Sequence, residues 1–114
     1  MKEIKNKIEQ SNYWDARVKA LECKYFGDEV IIVFEGDDSD VMYNFEECYD
    51  VRIKHLIEYS KETPCRNLIL PQIPYFLQDI EANELNINDI IYFEFKIRMF
   101  PIELYIVCKK LDIK

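Results

Sequence analysis

Residues 28–50, DEVIIVFEGDDSDVMYNFEECYD, constrain the fold more than any other stretch of the chain. Two apolar runs, 30–34 and 41–45, flank an acidic link, Glu35-Gly36-Asp37-Asp38-Ser39-Asp40. Strand side chains alternate between faces, so Val30, Ile32 and Phe34 share one face, as do Val41, Tyr43 and Phe45. The polar, glycine-containing link between them predicts a β-hairpin with a charged turn. Ile31 and Val33 make the second face of the first run apolar too, the pattern of a strand covered on both sides. The same stretch holds nine of the 22 acidic residues and no Lys or Arg.

The rest of the chain reads as further strands. In 2–11, Ile4 and Ile8 have helical spacing among charges, which predicts a short N-terminal helix. A strand over 15–25 changes face midway: Trp14, Ala16, Val18 and Ala20 share one side, and Leu21, Cys23 and Tyr25 the other. Such a slip predicts a bulge or sharp bend. Phe26-Gly27-Asp28 is a turn signal. After a second connection at Glu46-Glu47-Cys48, residues 49–59 alternate regularly. Tyr49, Val51, Ile53, His55, Ile57 and Tyr59 are expected inward, against Asp50, Arg52, Lys54, Leu56 and Glu58 outward.

Pro64, Pro71 and Pro74 make 60–75 a crossover loop with at most one helical turn near 66–70. A three-strand meander follows, near 76–84, 90–99 and 102–109, with Asn86-Ile87-Asn88-Asp89 as a turn. The expected fold is mainly β, with α+β still open. It is a single domain over 1–114: a strongly bent antiparallel sheet or partial barrel of six to seven strands with a short N-terminal helix.

Enzyme chemistries find little purchase. The chain has one histidine and two glycines, and no nucleotide-binding, nucleophile-elbow or zinc-protease motif. Two glycines do not build a phosphate-cradling loop. Cys23, Cys48, Cys65 and Cys108 include no close pair, so a zinc site is not expected and reduced, apolar thiols are. The acidic link fails as a calcium loop. Counting from Asp37, the fifth and sixth positions are Val41 and Met42, where an oxygen ligand and a glycine are required. No cofactor is expected. His55 reads as a core histidine hydrogen-bonded to a neighbour, with a general base facing a cavity as the functional alternative.

The net charge of −7 is unevenly distributed. Residues 28–50 carry −9 and residues 75–94 carry −5, and the intervening segments are mildly basic. That pattern repels nucleic acid and anionic membranes and attracts basic partners. No apolar run approaches the length of a membrane span, and no secretory h-region follows the N-terminus, so a cytoplasmic location is expected.

Residues 14–57, WDARVKALECKYFGDEVIIVFEGDDSDVMYNFEECYDVRIKHLI, carry a resemblance. An aspartate opens a strand, a tight hairpin follows, and Phe-x-x-Cys-Tyr leads into a long alternating strand. This layout resembles small β-rich immunity proteins of bacterial polymorphic-toxin and contact-dependent inhibition systems. Such proteins tend to carry glycine near the position of Glu47, where this chain departs. The resemblance implies a cytoplasmic, non-catalytic protein that binds and neutralises one toxin domain. If that domain is a nuclease, its basic cleft suits an acidic partner.

Three readings follow. The first is an immunity-type inhibitor that meets a basic toxin domain through Glu35, Asp37, Asp38, Asp40, Glu46, Glu47, Asp79, Glu81 and Glu84, with Tyr92 and Tyr105 as exposed aromatics. For the hairpin carboxylates, a plain solvated turn is the competing explanation. The second is a ligand-binding or enzymatic half-barrel with a cavity beside His55. The third is a homo-oligomeric subunit that buries Ile31 and Val33.

Overall fold

The computed structural model describes residues 1–56 and 64–114. The expected positions Ile57, Glu58 and Tyr59 lie outside the described residues. One helix, α1 (Lys2–Gln10), precedes six strands: β1 (Val18–Lys24), β2 (Glu29–Glu35), β3 (Asp40–His55), β4 (Asp79–Ile87), β5 (Ile90–Met99) and β6 (Ile102–Ile113). They form one antiparallel sheet in the order β1-β2-β3-β6-β5-β4. The sheet stays open. A bridge between Arg17 and Phe76, just before β1 and β4, ties its two edge strands near one end.

The hairpin forms as its pattern dictates. Val30, Ile32 and Phe34 stand opposite Phe45, Tyr43 and Val41. Phe34, Tyr43, Phe45 and Phe95 then pack edge to face in a row, at centroid separations of 5.4, 6.1 and 5.1 Å. Phe95, Ile97 and Met99 of β5 and Ile102, Leu104 and Ile106 of β6 complete the buried face. Nine-residue helices are marginal alone, so α1 depends on burying Ile8 against this face. The Tyr43 hydroxyl shares a hydrogen bond with Ser11, which in turn donates to the Ile8 carbonyl at the helix end. The segment before β4 adds Tyr75 and Leu77 to the core, held by the Val18 amide on the Tyr75 carbonyl at 2.9 Å.

Several expectations need correction. The connection expected at Glu46-Glu47-Cys48 is a bulge within one 16-residue strand, β3. Merging 41–45 with 49–55 fixes the strand number at six. Glu47 takes φ +54 there, the left-handed conformation that favours glycine. Beyond the bulge β3 pairs with β6, while its pairing with β2 ends at Phe45. This second half is therefore an edge, and Tyr49 (65% exposed) and Ile53 (44%) are uncovered instead of inward. His55, expected in the core, is exposed at the strand's end, with Nε2 3.0 Å from the Tyr75 hydroxyl. Ile31 and Val33 are half-buried, on the face of β2 opposite the core residues Val30, Ile32 and Phe34. The slip expected in β1 is present, between Val18 and Ala20.

Candidate protein-binding surface

The eleven residues singled out in the sequence fall into separate zones of the sheet. Glu35, Asp37, Asp38 and Asp40 crowd the β2–β3 turn and are all exposed. Asp40 is paired with Lys19 at 2.8 Å, which raises the lysine pKa, and Asp37 accepts from the Asn12 amide at 3.4 Å. Gly36 closes this turn, its amide bonded to the Ser39 carbonyl at 3.1 Å.

Glu46 and Glu47 lie at the opposite end of the hairpin, five residues or roughly 17 Å along the strand from the turn. There they join Asp28 and Glu29, and the Asn44 amide bridges Glu29 (3.4 Å) and Glu46 (3.1 Å). Asp79, Glu81 and Glu84 belong to β4, four strands from β2 and so roughly 19 Å away along the sheet. Asp79 stands opposite Arg98, Glu81 opposite Lys96, and Glu84 pairs with the N-terminal amine at 3.3 Å.

Tyr92 and Tyr105 lie on the face opposite the core, as expected, but neighbours half-bury them. Tyr105 donates to Glu94 at 2.6 Å, a bond that with burial pushes its pKa up to about 12, and its ring lies 5.2 Å from the Arg52 guanidinium. The Tyr92 ring meets Tyr49 at 5.7 Å and the Lys109 ammonium at 5.8 Å.

A second feature sits at the base of the hairpin, where sequence reading marked no more than a turn. Tyr25, Phe26 and Gly27 link β1 to β2 with successive φ values of +54, +58 and +92. Left-handed backbone is ordinary for Gly27 and costly for two aromatic residues. The turn holds Tyr25 at 70% exposure and Phe26 wholly in solvent. Together with Cys23, Tyr49 and Ile53 they line an open groove of about 520 Å³. Asp28 follows the turn directly, and its carbonyl accepts from the Cys48 amide at 2.9 Å, which fastens the turn to the β3 bulge.

The site is thus a set of exposed carboxylates beside uncovered aromatic residues, a surface suited to binding protein. A family model described as immunity protein PIM7 matches residues 1–114. The chain belongs to the PIM7 immunity protein family. Immunity proteins bind a toxin, so the partner is a protein. No curated protein matches the chain.

Among the remaining chemistry-bearing residues of this immunity protein, His55 and Cys48 lie apart from one another. An apolar groove of about 310 Å³ does lie beside His55, lined by Val18, Leu21, Ile73, Tyr75 and Ile102 among others. No carboxylate or thiol is among its described lining residues. Cys48 is seven strand positions from His55 along β3, roughly 23 Å. It stands directly opposite Cys108 instead. The Cys48 thiol donates to the Phe45 carbonyl at 3.5 Å and the Cys108 thiol to the Lys110 carbonyl at 3.3 Å, and the closeness of the two sulfurs, with burial, raises the Cys108 pKa and lowers that of Cys48. Among the described residues no three potential ligands are grouped to hold a metal ion.

Proposed function

We propose that this PIM7 immunity protein acts without catalysis, in the cytoplasm, by occupying a basic surface of one cognate toxin domain. The charge of the β2–β3 hairpin carries the reading. Of its nine carboxylates, Asp40 and Asp50 are ion-paired, with Lys19 and Arg52. The others present an anionic field at both ends of the hairpin that attracts a cationic partner and repels nucleic acid. A nuclease domain, whose substrate cleft must be basic, fits that description. His55 has the Tyr75 hydroxyl within hydrogen-bond distance and no carboxylate or thiol among the described lining residues of its groove, which supports binding over chemistry.

The test is protection. The toxin domain encoded by the adjacent reading frame is expressed in bacterial cells with and without this chain. Growth restored by the chain, together with a stable complex of the two purified proteins, is the expected outcome. Continued killing with the chain present at excess would overturn the proposal. A His55→Ala variant is expected to protect fully; loss of protection with the fold intact would favour the groove beside His55 as the working site.

A further inference from the structure

We infer that the Tyr25–Gly27 turn is the apolar anchor of the toxin-binding surface, and that Phe26 enters an apolar pocket rimmed by Lys or Arg on the toxin. The inference rests on the reading of the chain as a toxin-binding inhibitor and names the part of the surface that does the binding.

Three observations meet at this turn. Phe26 is fully exposed and Tyr25 is 70% exposed, beside Tyr49 and Ile53 at 65% and 44%. A cluster of exposed large apolar groups of this kind marks an interaction site, and aromatic anchors are the residues on which interface energy concentrates. The backbone, moreover, holds both aromatics in the left-handed region, where Asn or Gly would sit with less strain. Nothing lies within 4 Å of a side-chain carbon built on Gly27, and the exposure of Tyr25 and Phe26 means that packing within the chain does not explain these residues. Lastly, the rim is anionic. Asp28 and Glu29 follow the turn, and Glu46 and Glu47 stand at the bulge fastened to it; Lys110 is opposite Glu46 on β6, while Lys24 and Arg52 already face Glu22 (3.7 Å) and Asp50 (2.9 Å).

That rim selects the occupant. A second copy docking by two-fold symmetry would bring the same carboxylates face to face, which like-charge repulsion opposes. An anionic membrane is repelled for the same reason. A toxin surface with an apolar pocket edged by cations satisfies both the rings and the carboxylates.

The inactivated toxin domain of the adjacent reading frame is titrated with wild type, Phe26→Asn and Phe26→Tyr. Asparagine tolerates the left-handed backbone, so the fold is kept while the ring is removed. Phe26→Asn is expected to weaken binding about 30-fold or more with an unchanged or higher melting temperature. Phe26→Tyr, which keeps the ring, is expected to bind within a few-fold of wild type. Phe26→Asn binding as tightly as wild type would overturn the anchor while leaving the inhibitor reading intact. A wild-type chain that neither binds nor protects would overturn both. A wild-type dimer in light scattering that Phe26→Asn converts to monomer would assign the turn to a second copy and overturn the inference.

Discussion

Two glycines show how differently one residue type acts in this chain. At Gly36 a side-chain carbon would run into the Ser39 carbonyl oxygen and sit 2.9 Å from Val41 Cγ2. The first is backbone of the tight β2–β3 turn and the second a short, stiff side chain at the start of β3, so neither gives way cheaply. Gly36→Ala is expected to cost about 1–3 kcal/mol in urea unfolding. At Gly27 space is open and the constraint is φ +92 alone. Tyr43 gives a pH signature at the same scale. Burial pushes its hydroxyl up to about 12, against an ordinary tyrosine value of 10.0. The unfolded chain therefore releases this proton first as pH rises. The tyrosine's contribution is complete below pH 10 and is lost progressively toward pH 12, about 2–3 kcal/mol in all. Melting curves across pH 9–12 should fall less steeply for Tyr43→Phe than for wild type, and parallel curves would refute the assignment. At neutral pH the variant should lose about 1 kcal/mol with its hydrogen bond to Ser11.

Among the elements, β3 organises the molecule. Its first half is paired on both sides, with β2 and β6, and buries Tyr43 and Phe45. Its second half has β6 on one side, and its side chains are half-buried or exposed. The change of role happens at the bulge, where an extra residue on β3 shifts its register with β6 between Cys48 and Asp50. Glu47 holds that kink at φ +54, and glycine adopts this conformation without the steric cost. Glu47→Gly is expected to raise stability by about 0.5–1 kcal/mol, read as a higher denaturant midpoint. A lower midpoint would mean that the Glu47 side chain supports the bulge in a way its exposure does not suggest.

Over the whole molecule, charge is zoned more finely than the run of acidic residues implies. On β4, Asp79 and Glu81 have Arg98 and Lys96 as cross-strand register partners, and Glu84 pairs with the N-terminal amine. Those of the hairpin split between its turn and its base. Asp37 and Asp38, exposed at the turn, act on a partner at a distance through the field. Asp37→Lys with Asp38→Lys is expected to slow association with the toxin domain several-fold at low salt and to flatten its salt dependence, leaving dissociation nearly unchanged. A change confined to the dissociation rate would place the turn inside the contact instead. Phe26, at the base, is expected to show the opposite division, with its effect in dissociation.

Local pattern settled much of this protein. Period-two alternation with polar turn residues specified the β2–β3 hairpin and the β4–β5–β6 meander. Helical spacing of Ile4 and Ile8 specified α1, and the charge blocks specified an anionic surface. These features were legible because each is written within a few neighbouring residues. What the tertiary structure decided depends on which strand lies beside which. A bulge and a turn look alike in sequence, so 46–48 read as a connection until β6 was seen to pair along both halves of β3. Tyr49 and Ile53 alternate like core residues, yet they are exposed because β2 ends before it reaches them. Phe26, an unremarkable residue ahead of a glycine, is lifted into solvent by a backbone that no short pattern encodes. Burial is a property of neighbours across the fold, and those neighbours are set by pairing between distant parts of the chain.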